Sequence, residues 1–225
     1  MLPTTRHFCR VTNPDIIICR DNGELSQKAA ERFVALANEA SASSGRFAVA
    51  LSGGSTPKAL YSLLATPDLA DRIPWLKVHL FWGDERCVAP EHAESNYRMV
   101  RESLLSKISI PSENVHRMAG EKEPKLAAVE YENELKTFFQ LSEGKPPRFD
   151  LILLGLGEDG HTASLFPGSE ALKETKRLVA ANFVENMNAY RLTLTLPVLN
   201  NAANVFFLVD GKSKATMVKE LLVTR

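Results

Sequence analysis

The sequence predicts an α/β protein, a three-layer αβα sandwich built on a mostly parallel, doubly wound sheet. Two observations lead there. Short apolar runs suited to buried strands alternate with segments that carry apolar residues at helical spacing, and the alternation continues to the end of the chain. Several of the runs end in turns rich in glycine, hydroxyl or charged residues, the composition expected where parallel strands deliver ligand-handling loops at their carboxyl ends. No internal repeat, low-complexity tract or linker interrupts the pattern, so residues 1–225 read as one domain.

Residues 15–19 open the pattern as a short β-branched strand with Ile16, Ile17 and Ile18, and residues 25–42 follow as a helix that aligns Ala29, Phe33, Leu36, Ala37 and Ala40. A second strand at 47–51 ends in Ser52, Gly53, Gly54, Ser55, Thr56 and Pro57, after which Ala59, Leu60, Leu63 and Leu64 resume helical spacing. A third strand, 78–82, runs into the charged linker Gly83, Asp84, Glu85, Arg86, and Ser95 is the predicted N-cap of a helix through Met99, Val100, Leu104 and Leu105. Residues 125–139 form an amphipathic helix with Leu126, Val129, Leu135 and Phe138, and the segment 144–147 resets the chain before the apolar strand 149–154. Strands at 178–184 and 190–196, a short helix begun by Pro197, a strand at 205–209 and a helix at 215–222 complete the series.

Composition narrows the function classes. At 44% hydrophobic residues, a 225-residue chain buries roughly 70% of its unfolded surface and needs no staple. Lys plus Arg and Asp plus Glu both number 27, so no global field draws the protein to nucleic acid or an acidic membrane. The odd set Cys9, Cys19 and Cys87 has no C-x-x-C pair and fits no disulfide framework. With no signal-peptide core and no run near the ~20 apolar residues of a spanning helix, the expected location is the cytoplasm, with no obligatory protein partner.

The segment 149–169, FDLILLGLGEDGHTASLFPGS, concentrates the chemistry. An apolar strand passes into a turn with Gly155, Gly157 and Gly160, and His161 follows Glu158 and Asp159 directly, which sets a titratable base beside two carboxylates. The three glycines spell G-x-G-x-x-G, but dinucleotide binding fails on electrostatics: Glu158 and Asp159 would face the pyrophosphate, and Pro167 and Gly168 break the helix that should hold it. Gly53 and Gly54 let backbone approach an anion, Ser55 and Thr56 offer hydroxyls, and Pro57 leaves amide donors free at a helix start, so 53–57 reads as a phosphate cradle. It lacks the nucleoside-triphosphate pattern and is not G-x-S-x-G, which counts against a serine nucleophile elbow; an acyl-enzyme through Ser55 or Ser164 is the rival mechanism, and no such adduct is expected. Arg86 can serve a phosphate or a developing oxyanion, Lys214 or Lys212 can add a point charge, and Arg191 is a candidate of the same kind. His7, His79, His92, His116 and His161 are scattered without metal-ligand spacing, and only His161 receives a role.

With these loops assembled, the chain from about residue 15 to its end resembles the 6-phosphogluconolactonase family. The resemblance is carried by GGSTP at 53–57, WGDER at 82–86, SNY at 95–97 and GLGEDGHTASLFPGS at 155–169, in the family's order and approximate spacing. It implies a fold shared with glucosamine-6-phosphate deaminases and hydrolysis of 6-phospho-D-glucono-1,5-lactone, a step of the oxidative pentose phosphate pathway, with no cofactor and no metal. It also implies that Gly53, Gly54, Ser55 and Thr56 with Arg86 and Lys214 hold the phosphate and that His161 is the catalytic base. Asp84, Asn96, Asp159 and Arg191 are implied as orienting or substrate-contacting groups, with Glu158 an alternative to Asp159 beside the imidazole. Deaminases share the glycine-rich turn and the Asp-Gly-His, but they carry Asp-Glu-Tyr in place of Asp84-Glu85-Arg86 and His-Ile-Ala-Phe-Asn-Glu in place of residues 161–166. Both differences favour a lactonase over a deaminase, and Asp159 with His161 favours catalysis over a sugar-phosphate-binding regulator. The family usually continues past the final helix into a further strand, so the sheet is expected to lack that strand here.

Overall fold

The computed structural model describes residues 14–223. In order it contains α1 (Asn22–Ser43), β1 (Phe47–Leu51), α2 (Ser55–Leu64), a short α3 (Pro67–Ala70), β2 (Val78–Trp82), β3 (Asp84–Arg86), α4 (Asn96–Ser103) and β4 (Val115–His116). There follow α5 (Pro124–Phe139), β5 (Leu151–Leu154), β6 (Val179–Val184), β7 (Ala189–Leu194), a short α6 (Leu196–Leu199), β8 (Val205–Phe207) and α7 (Ala215–Val223). Five strands form a parallel sheet in the order β4-β2-β1-β5-β8. Every residue of β1 and β5 is buried, which is why both read as continuous apolar runs.

Helices flank this sheet, and α1, α2, α4 and α5 each bury one face. The α1 stripe is Ala29, Ala30, Phe33, Val34 and Ala37, spaced by three and four residues, and Phe33 meets Phe47 of β1 edge-on at 5.3 Å. Its start is fixed by Asp21, whose carboxylate accepts the Glu24 amide at 2.8 Å. The expected N-cap Ser95 likewise accepts the Arg98 amide at 3.1 Å and begins α4. Among the described residues, no helix is long and apolar enough to cross a membrane.

Three expectations change. Residues 15–19 form no strand: Ile16 and Ile18 are 56% and 87% exposed, and a β-branched run without a neighbouring ladder or a buried face has nothing to hold it extended. The linker 84–86 is itself a strand, β3. It pairs antiparallel with β7, which pairs antiparallel with β6, so β3 joins the later β6–β7 pair in a separate three-stranded sheet in the order β3-β7-β6. The β6–β7 connection, Glu185 to Asn188, is too short for a parallel crossover. It closes as a hairpin with Asn188 in the left-handed region at φ 46°.

Candidate active site

The parallel register places the carboxyl ends of β1, β5 and β8 on one rim, and the small sheet closes the side. Between them lies a cleft of about 340 Å³. The turn after β1 contributes Ser52–Pro57; β3 contributes Asp84 and Arg86; the turn after β5 contributes 155–157, 161–164 and Phe166. The β6–β7 hairpin adds Met187 and Arg191, and the turn after β8 adds 208–210 and Lys214. Of the site residues expected from sequence, all but Asn96 and Asp159 line the cleft, and Glu158, the alternative to Asp159, does not. Lys212, the alternative to Lys214, does not.

The turn after β1 is held from below. Tyr61 of α2 is fully buried; its hydroxyl accepts the Ser52 amide at 3.0 Å and donates to the Ser52 carbonyl at 2.9 Å. Gly54 takes φ 105°, which an L side chain rarely adopts, and no side chain caps the start of α2. Uncapped amides at a helix N-terminus favour an anion. Gly53 is needed for a different reason: a Cβ there would collide with the Asn96 carboxamide. Asn96 is buried behind the turn and donates from Nδ2 to the Asp84 carbonyl at 2.9 Å, so it supports both walls from outside the cleft. Ser52 lines the cleft, and its buried Oγ has no hydrogen-bond partner among the described residues. Sequence reasoning gave Ser52 no role, because burial of a hydroxyl cannot be seen in a Gly-Ser run.

His161 is set by its neighbours. Its Nδ1 lies 2.6 Å from Asp159 Oδ1, and the same oxygen accepts the His161 amide at 3.2 Å. Burial works against the Asp159 carboxylate, but the amide and imidazole of His161 outweigh it and hold its pKa below the ordinary value. The ring stacks on Phe166 at 4.2 Å, and a Cβ on Gly157 would strike it, which accounts for the glycine beneath. Nδ1 facing a carboxylate is the donor of the neutral ring, which leaves Nε2 as the acceptor. Glu158, the other carboxylate in the turn, points instead toward Lys214 at 3.8 Å.

The small sheet brings a positive wall. Arg86 and Arg191 are directly opposed in the β3–β7 register, and among the described residues neither has a carboxylate within ion-pair distance. Arg86 Nη1 donates to the Glu94 carbonyl at 2.6 Å, and Arg191 Nη1 donates to the Tyr190 carbonyl at 3.2 Å. Burial, then the charge of Arg86, lowers the pKa of Arg191. Two opposed guanidiniums repel, and an anion between them removes the repulsion.

Two buried carboxylates underlie that wall. Burial raises the pKa of Asp84, partly offset by its hydrogen bond from Ser164 and by Arg86. Glu85 is also raised by burial, opposed by the amides it accepts: Tyr97 and Asn96 at 2.7 Å and Arg86 at 2.8 Å. Glu85 thereby caps α4 and carries its negative charge at the positive helix end. The sequence offered no signal for this, since residues 85 and 96 lie outside any local capping spacing. Among the described residues, no group of three or more His, Cys, Asp or Glu side chains is arranged to hold a metal ion.

Fold and cleft together define a three-layer α/β protein whose rim pocket combines a helix-start cradle, a cationic wall and an imidazole–carboxylate pair. Residues 20–225 match the family described as glucosamine-6-phosphate isomerases/6-phosphogluconolactonase, and the chain belongs to that family. It is 48% identical over 184 residues to a 6-phosphogluconolactonase of Synechocystis sp., covering 81% of this chain and 74% of that one. It is 41% identical over 176 residues to a 6-phosphogluconolactonase of Haemophilus influenzae, covering 78% of this chain and 73% of the relative. Among solved structures, the 6-phosphogluconolactonase from Trypanosoma cruzi superposes with a TM-score of 0.84 at 33% identity, over 94% of this chain and 86% of that one.

Proposed function

We propose that the protein hydrolyses 6-phospho-D-glucono-1,5-lactone to 6-phospho-D-gluconate, the second step of the oxidative pentose phosphate pathway, using water activated by His161 and no cofactor. The observation that carries this is the pairing of His161 with Asp159 at 2.6 Å in a cleft that also holds an uncapped helix start and Lys214. A single reactive imidazole beside an anion cradle suits a substrate with one remote phosphate and one electrophilic carbon. The names of the relatives agree with this assignment.

In this mechanism the phosphate sits at Gly53, Gly54, Ser55 and Thr56 with Lys214, and binding there aligns the lactone carbonyl with the imidazole. His161 Nε2 takes a proton from water as the oxygen attacks C1. Asp159 keeps Nδ1 as the donor and stabilises the imidazolium that forms. The tetrahedral oxyanion needs fixed positive charge, which Arg86 and Arg191 provide on the neighbouring wall. Collapse opens the ring, and the imidazolium returns its proton to the departing ring oxygen. Asp84 and Asn96 orient the arginine strand and the cradle. The reading places the enzyme in the cytoplasm.

The test is direct: freshly generated 6-phosphogluconolactone should be opened far faster than its spontaneous rate. No acceleration, or ammonia release from glucosamine 6-phosphate in its place, would overturn the assignment.

A further inference from the structure

Ser164 lies in the middle of the turn that carries His161, is 2% exposed, and follows Ala163, which is held at φ 50°. All three of its polar groups are engaged, each with a different strand of the small sheet. Its amide donates to Thr193 Oγ1 of β7 at 3.2 Å. Its carbonyl accepts from Asn182 Nδ2 of β6 at 2.8 Å. Its hydroxyl donates to Asp84 Oδ2 of β3 at 2.8 Å. Asp84, Asn182 and Thr193 are all buried. The turn's own bonds, Thr162 Oγ1 to the Gly155 carbonyl at 2.9 Å and the Leu165 amide to the Thr162 carbonyl at 3.0 Å, close it locally without reaching that sheet.

His161 arrives on a loop of the parallel sheet, whereas Arg86 and Arg191 belong to the antiparallel one. The two sheets also meet at Gly83, whose amide donates to the Leu51 carbonyl and whose carbonyl accepts the Leu194 amide, both at 2.8 Å, but the hydrogen bonds that tie the His161 turn itself to the small sheet are those of Ser164. We infer that Ser164 is a positioning residue, whose anchorage to Asp84, Asn182 and Thr193 holds the His161 turn at its working distance from Arg86 and Arg191. The inference rests on the reading of His161 as the base. It also gives the Ser164 hydroxyl a role other than nucleophile: it is committed to a carboxylate, while the nearby imidazole addresses Asp159.

Kinetics and amide exchange together test this. Ser164→Ala should lower kcat for 6-phosphogluconolactone by about 10- to 100-fold, the scale of a misplacement near 1 Å, while KM and the affinity for 6-phosphogluconate stay within about threefold. Hydrogen exchange should quicken at residues 161–166 and stay unchanged in β1. Ser164→Cys keeps the shape with a much weaker donor and should behave like the alanine variant, which preserves the test if Ser164→Ala does not fold. Ser164→Thr keeps the hydroxyl and should recover most of kcat. Unchanged kcat in the alanine and cysteine variants, or loss of kcat and ligand affinity in parallel, would overturn the inference. A wild-type protein without lactonase activity would overturn the proposed function instead. Exchange would then decide the anchorage, and unchanged protection at 161–166 in Ser164→Ala would refute it.

Discussion

His161 and Gly53 show how far single residues decide this site. If His161 is the general base, His161→Ala should lower kcat by about 10² to 10⁴ with little change in affinity for 6-phosphogluconate; near-normal turnover in a stopped assay would remove it from the mechanism. Gly53→Ala tests the cradle. Its Cβ would strike the Asn96 carboxamide, which is tied to the Asp84 carbonyl, so the turn or Asn96 must move. Overpacking of this kind costs about 1–3 kcal/mol, and the variant should melt earlier and bind 6-phosphogluconate more weakly by calorimetry. Equal melting and affinity would show that the contact relaxes freely. The Gly-Gly-Ser-Thr-Pro and Gly-Glu-Asp-Gly-His runs were legible as chemistry because glycine, hydroxyl and imidazole stand together where strands end. The choice between Asp159 and Glu158 was not legible, since both adjoin His161 in sequence and only the path of the turn turns one toward the ring and the other toward Lys214.

Among elements, β2 and β4 carry a histidine pair outside the cleft, with His79 near the amino end of β2. His79 Nδ1 lies 3.2 Å from His116 Nε2 of β4, and His116 Nδ1 lies 2.7 Å from Glu134 of α5. Burial, then His116 and Arg46, lowers the pKa of His79 from 6.5 to about 4. In that interval the unfolded chain binds more protons than the folded one, so the contribution of His79 to stability is present above about pH 6.5 and is lost as the pH falls toward 4. Asp84 and Glu85, with raised pKa values, act with the opposite sign, so the comparison must be between variants. His79→Gln should lose less stability than the wild type between pH 6.5 and 4, read from urea midpoints; parallel curves would deny His79 that role. Elements with their own periodicity, such as α1, β1, α2 and α5, could be read from sequence. β3 could not, because three charged residues form a strand only when β7 offers them a ladder. The run at residues 15–19 failed for the converse reason, being strand-like in composition without a partner.

At the scale of the whole molecule, the cleft exists because two sheets of different construction meet. The parallel sheet delivers the cradle, the His161 turn and Lys214; the antiparallel sheet delivers Arg86 and Arg191. A ligand that spans both should stabilise the folded state by mass action, about 2.7 kcal/mol at a hundredfold excess over its Kd. The melting temperature should rise with 6-phosphogluconate and rise less in Arg191→Ala. An equal rise in both proteins would place the ligand on the parallel sheet alone.

Read alone, the chain specifies the α/β class, the parallel strands at 47–51, 78–82, 149–154 and 205–209 and the rim loops that follow them, because burial on two faces and helical spacing are local signals that survive without coordinates. Folding in three dimensions sets β3, β6 and β7 apart as a second sheet, turns Asp159 toward the imidazole, and ties the His161 turn to that sheet through Ser164. Those decisions depend on contacts between residues far apart in the chain: 80 positions separate Ser164 from Asp84, and no local pattern encodes which partner such a residue will meet.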